Sequence, residues 1–98
     1  MVQYKATDVA VLEAIPTTDS TKKLLVVDLV CENEHGHKLQ TASGPLLLVH
    51  DGLAEFVYDA ENVAGFVEEE HQEKVESAVR RHPRYEISNP EELCGWVS

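Results

Sequence analysis

The chain has 98 residues, of which 43% are apolar, so we expect one domain over residues 1–98 with a packed core. Eighteen acidic against eight basic residues give a formal charge of −10, which excludes phosphate-driven nucleic-acid binding because such binding needs clustered lysine and arginine. No apolar run exceeds four residues, so no membrane partner is expected either. Two cysteines without a secretion signal are typical of reduced thiols and indicate a cytoplasmic protein.

The first sixty residues alternate apolar and polar side chains in the way that predicts β-strands. Residues 9–15 form one such run, which Pro16 ends, and residues 16–21 have the composition of a loop. Residues 22–32 give the clearest strand, because one of its faces is wholly apolar and should point into the core. That face consists of Leu25, Val27, Leu29 and Cys31.

Two glycines predict tight turns between these strands. Residues 34–36 are typical of a three-residue hairpin loop with Gly36 in the left-handed conformation, which glycine adopts most easily. Asp51-Gly52 predicts a two-residue hairpin between strands 46–50 and 53–59. The first turn pairs Glu32 with Lys38, Cys31 with Leu39 and Leu29 with Thr41, and the second pairs Val49 with Ala54 and Leu47 with Phe56.

The last forty residues are mainly helical by pattern. A helix begins after Asp59, a suitable N-cap, and ends before Pro83. Its apolar stripe shifts by more than a right angle and Gly65 lies inside it, so we expect a break over residues 65–69. After a short strand at residues 85–87, Asn89-Pro90 predicts one final helical turn, ended by Gly95.

Together these elements predict an α+β fold, in which an antiparallel sheet of about five strands (residues 1–59) carries C-terminal helices (residues 60–82) on one face. The alternative is a small curved β-barrel plugged by the same helix. The second face of strand 22–32 would then be uncovered, although Leu24, Val26 and Val30 lie on it. We therefore predict that these three residues form the interface of a homo-oligomer.

An acidic run follows the predicted helix break, and we predict that it binds a basic partner protein. The binding residues would be Glu68, Glu69, Glu73 and Glu76. The competing interpretation is an ordinary solvated helix face. It is favoured by the spacing of Glu70 with Lys74 and of Glu76 with Arg80, since both are suited to i,i+4 ion pairs.

Several titratable residues are candidates for chemistry. Asp28 interrupts an apolar strand face, and a helical wheel places His71 and His82 on the side that faces the sheet. No phosphate-binding loop or hydrolase motif accompanies them, so we assign no catalytic residue. His35 and His37 flank a glycine, but a single histidine pair lacks the spacing of a structural zinc site, and we predict no metal or cofactor.

The favoured function is therefore a non-catalytic protein-interaction module, such as an inhibitor or immunity-like binder of a basic protein. One alternative is an oligomeric domain that binds a small ligand. The other is a small enzyme that uses His71, His82 or Asp28.

Overall fold

A computed structural model describes residues 3–33, 35–40, 44–83 and 86–97 and shows a mixed α+β fold with a curled sheet and C-terminal helices. The strands are β1 (Gln3–Ile15), β2 (Lys22–Asn33), β3 (Lys38–Gln40), β4 (Leu46–His50), β5 (Leu53–Phe56) and β6 (Glu86–Ile87). The helices are α1 (Glu61–Ala64), α2 (Gln72–Arg80) and α3 (Pro90–Val97). The sheet order is β5-β4-β2-β1-β6, and β3 pairs with β2 outside this path.

Both predicted hairpins are confirmed. Gly36 has a φ of +78°, and Asp51 and Gly52 have φ values of +52° and +74°. Two successive left-handed residues define the turn whose twist matches that of the flanking strands. Four of the five predicted cross-strand pairs are present between β2 and β3 and between β4 and β5, and the fifth, Leu29 with Thr41, lies outside the described residues.

The predicted helix break is also confirmed. α1 ends at Ala64, a 3₁₀ turn spans Glu69–His71, and α2 begins at Gln72. The side chain of Gln72 stabilises the break, since its Nε2 donates to the carbonyls of Val67 at 2.8 Å and Ala64 at 3.3 Å. Glu69 therefore lies on the 3₁₀ turn and Glu73 and Glu76 lie on α2, whereas Glu68 precedes both.

The helices that precede residue 82 pack on the face of β2 that we expected to be exposed. Leu24 is fully buried and Val26 is 7% exposed, in a core that includes Val63 of α1 and Val75 of α2. The predicted exposure of Leu24 and Val26 is therefore wrong. Val30 is half-buried. Both faces of β2 are apolar, so the pattern alone did not indicate which one these helices cover.

The opposite face of β2 forms a second core, which α3 covers. This core contains Leu25, Val27, Leu29 and Cys31 together with the fully buried Leu93 of α3. α3 has 8 residues and continues through Gly95, so the prediction of a single final turn was too short. The sheet is thus sandwiched between α1 and α2 on one face and α3 on the other.

β1 is paired along its whole length with β2 but only briefly on its outer edge. β6 runs parallel to β1 and pairs with Gln3 and Tyr4 alone. The Asn89 side chain then pairs with the backbone of Ala6. From residue 7 to residue 15, no strand among the described residues pairs with the outer edge.

Candidate functional site

A surface groove of about 370 Å³ lies between α2 and the β1–β2 hairpin. Residues three or four positions apart lie on the same side of a helix, so the residues that line the helical side of the groove are spaced by three or four positions. This α2–β1 groove is lined by Glu13 and Val26 from the sheet and by Glu70, Glu73, Lys74, Ser77, Ala78 and Arg81 from the helical side. It therefore contains three carboxylates and two cations.

Lys74 bridges the groove to β1. Its Nζ lies 2.7 Å from Oε1 of Glu13, and about half of each side chain is exposed. An ion pair exposed to this degree contributes only about 0–1 kcal/mol, so its main effect is to neutralise Lys74. Glu70 instead lies 3.5 Å from Nε2 of His71. Neither predicted i,i+4 pair is found among the ion pairs of the described residues.

The four predicted partner-binding residues are all exposed: Glu68, Glu69, Glu73 and Glu76. Within the described ranges, none of them has an ion-pair partner. Of these four, only Glu73 lines the α2–β1 groove.

Glu13 was missed by the sequence analysis. A register shift between Val11 and Glu13 places Glu13 opposite Val26, on the face that carries α2. Such a β-bulge adds one residue to a strand and so reverses the side to which later side chains point. The sequence signal was weak, since Glu13 is a single acid within an apolar run.

Arg81 closes one end of the groove by packing over Gly44. Gly44 has a φ of +134°, and a Cβ at this position would collide with the side chain of Arg81. Arg81 is exposed and makes no ion pair with any described residue. The groove is therefore cationic at this end and carboxylate-rich around Glu70 and Glu73.

The three candidate catalytic residues are not assembled into one site. Asp28 is half-buried on β2, and its buried Oδ1 has no hydrogen-bond donor among the described residues. His82 follows α2, and its ring packs edge-on against Tyr58 at 4.6 Å and Phe56 at 5.2 Å between centroids. Its buried Nδ1 likewise has no described partner, so it does not bond Asp28. Burial lowers the pKa of His82 below its ordinary value of 6.5.

The histidine pair at the β2–β3 hairpin is held by the turn itself. The backbone N–H groups of His35 and His37 donate to Oδ1 of Asn33 at 2.9 and 3.0 Å. The two rings lie 6.4 Å apart between centroids. Within the part of the chain that the structure describes, no three His, Cys, Asp or Glu side chains converge as metal ligands.

An apolar groove of about 430 Å³ lies on the opposite face of the same β1–β2 hairpin. Val11, Ala14, Leu25 and Val97 line it, and Lys22 and Lys23 also contribute. Val11 is 46% exposed. Sequence analysis missed this groove because Val97 belongs to the part of α3 that extends beyond the predicted turn.

No protein-family profile matches the chain. No curated protein and no solved structure is significantly similar to it. Among the described residues, no helix is both long enough and apolar enough to cross a membrane.

Proposed function

We propose that the protein is a non-catalytic interaction module that binds a basic protein, as an inhibitor or immunity-type partner does. The observation that carries this proposal is a set of exposed carboxylates, from the residue before the 3₁₀ turn to α2, that form no ion pair with any described residue. These are Glu68, Glu69, Glu73 and Glu76. We place the module in the cytoplasm, where the buried Cys31 and the half-buried Cys94 would remain reduced thiols.

Unpaired carboxylates of this kind contribute little to the fold. Like charges on one surface repel each other, and the nearby Lys74 is engaged by Glu13 on another element. A basic partner would relieve this repulsion on binding. It would also be attracted from a distance, which raises the association rate and makes it sensitive to salt.

The two alternative functions have less support. The ligand-binding oligomer was inferred from an exposed apolar face, but Leu24 and Val26 are core residues. An enzyme would need its acid, base or nucleophile within hydrogen-bonding reach of each other. No hydrogen bond or ion pair among the described residues joins His71, His82 and Asp28.

Charge reversal on the acidic surface tests the proposal against a matched control. Glu69→Lys with Glu73→Lys gives a formal charge of −6 instead of −10, and so does Glu61→Lys with Glu91→Lys at two exposed positions elsewhere. The affinity of each double variant for a labelled lysine-rich peptide is compared with that of the wild type. We expect the first variant to weaken binding at least about tenfold and the second to retain it.

Equal weakening by the two variants would show that only net charge matters and that no recognition surface exists on α2. Wild type and both variants would then be used to capture proteins from a lysate. A basic protein retained by the wild type and by the control, but lost by Glu69→Lys with Glu73→Lys, would identify the partner.

A further inference from the structure

We infer that the free outer edge of β1, over residues 9–14, docks an extended basic segment of the partner, which adds to the sheet as a further strand. This inference rests on the proposed function, because it specifies which part of a basic partner is bound and where. The evidence for it is the orientation of the β1 backbone, the surroundings of this edge on the two faces of the sheet, and the side chain of Asp28.

The backbone of Val11 is available for pairing. Val27 donates its N–H to the carbonyl of Pro45 and accepts the N–H of Gly44, so both of its backbone groups point away from β1. Val11 lies directly opposite Val27. In an antiparallel pair, when the N–H and C=O of one residue point away from the neighbouring strand, those of the residue opposite it point away as well. The N–H and C=O of Val11 therefore face the outer edge, where the described residues supply no strand.

The open part of this edge is short and well defined. The N–H of Val9 is already accepted by Oδ1 of Asp8 at 2.9 Å, which closes the edge at one end. Ala14 lies opposite Leu25, two residues before Val27, so its backbone also points outward. An added strand would thus pair with Val11 and with Ala14, which the bulge between Val11 and Glu13 sets three positions apart instead of two.

The two faces of the edge present different surroundings. Val11 and Ala14 line the apolar groove on one face. Ala10 belongs to the other face and lies directly opposite Asp28 of β2. Because strand side chains alternate, every second residue of an added strand would enter the apolar groove and the others would lie over Ala10.

Asp28 explains the preference for a basic side chain. Its buried Oδ1 has no donor among the described residues. Neighbouring strands lie about 4.8 Å apart, so a strand added on the far side of Ala10 would lie roughly 10 Å from the backbone of Asp28. A lysine or arginine can span that distance and would donate the missing hydrogen bond to the carboxylate.

A second copy of this chain fits the edge less well. Asp8 and Glu13 flank the open segment, and each copy carries a formal charge of −10. Two antiparallel β1 edges would bring four carboxylates into one short interface, of which only the two Glu13 groups are ion-paired, with Lys74, and such charges commonly prevent edge-to-edge association. A basic segment meets the same carboxylates with the opposite charge.

The test uses the intact protein and two labelled peptides of about nine residues with equal charge. One alternates lysine and valine, and the other replaces each valine with proline, which has no backbone N–H. We expect the lysine–valine peptide to bind at least about tenfold more tightly, and hydrogen exchange at the Val11 amide to slow on binding. Asp28→Asn should weaken this binding about tenfold, while the matched Asp51→Asn in an exposed turn should not.

The outcomes separate this inference from the proposed function. Equal binding of both peptides, weakened by Glu69→Lys with Glu73→Lys, would overturn strand addition and leave the proposed function intact. Binding of neither peptide would overturn both. A dimer whose Val11 amide is already protected without peptide would show that a second copy occupies the edge, which also overturns the inference.

Discussion

The side-chain amide of Asn89 takes the place of a β-strand partner for Ala6. The N–H of Ala6 donates to Oδ1 of Asn89 at 2.8 Å, and Nδ2 of Asn89 donates to the carbonyl of Ala6 at 2.9 Å. The same Nδ2 also donates to Oε2 of Glu92 in the first turn of α3. Asn89 therefore joins the outer edge of β1 to the start of the helix that covers the second core.

We expect Asn89→Ala to destabilise the fold by about 2–3 kcal/mol, because it leaves two backbone groups of Ala6 without partners in a buried position. Asn89 is 5% exposed. Urea unfolding measures the change, and Ser88→Ala at the exposed neighbouring position serves as the control, with an expected change within about 0.5 kcal/mol. An Asn89→Ala variant as stable as its control would contradict the edge-closing role.

Gly44 and Gly52 form a second matched pair. Gly52→Ala adds a methyl group in open space at a φ of +74°, and it should cost about 1–2 kcal/mol of stability from backbone strain alone. Gly44→Ala combines a φ of +134° with a collision against Arg81, so its cost should be about 2–4 kcal/mol. Adding Arg81→Ala to Gly44→Ala should recover part of the loss in thermal unfolding. Equal costs for the two alanines would show that Arg81 does not pack there.

Val26→Glu tests the corrected position of α1 and α2. An unpaired carboxylate at a residue that is 7% exposed should cost about 3 kcal/mol or more, so the variant should lose its folded structure. Leu12→Glu, at a residue that is 51% exposed, should change stability by only about 0.5 kcal/mol. Circular dichroism and equilibrium sedimentation distinguish the outcomes. If the wild type were a dimer and Val26→Glu a folded monomer, the result would support the oligomer interface predicted from the sequence instead.

The stability of the fold should fall on mild acidification because of His82. Burial lowers its pKa in the folded state below 6.5, whereas the unfolded chain has the ordinary value. At pH values between these two pKa values, the unfolded state therefore binds more protons than the folded state. The contribution of His82 to the free energy of unfolding is therefore fully present above pH 6.5 and declines as the pH drops below that value.

Urea midpoints between about pH 7.5 and pH 5.5 measure this decline. His82→Phe keeps an aromatic ring against Phe56 and Tyr58 but cannot be protonated, so its midpoint should vary less with pH. His37→Gln, at an exposed position, should retain the wild-type dependence. If His82→Phe has the same pH dependence as the wild type, another group causes the decline.

Local features of this fold were predictable from the sequence because their causes are local. The turns at Gly36 and Gly52 follow from conformations that glycine favours, and each turn sets the register of its hairpin. The break after Ala64 follows from the shift of the apolar stripe. These features involve residues close together in the chain.

The features that were not predictable depend on distant parts of the chain. Both faces of β2 are apolar, so periodicity could not decide which one α1 and α2 cover. Gly95 was interpreted as a stop, but it is exposed with open space around it, and the helix continues to Val97. Glu73 was identified as a site residue from its helical position, whereas Glu13 depends on a bulge in β1.

The most direct test of the proposed function is to map where a basic probe binds the wild-type protein. Amide resonances would be followed by NMR during titration with the lysine–valine peptide at low salt. The account predicts that shift changes concentrate at residues 68–77 and along residues 9–14 of β1, and that they are reversed by added salt. Changes of equal size at the acidic first turns of α1 and α3, around Glu61 and Glu91, would show diffuse attraction to a negatively charged surface and would contradict a recognition surface on α2.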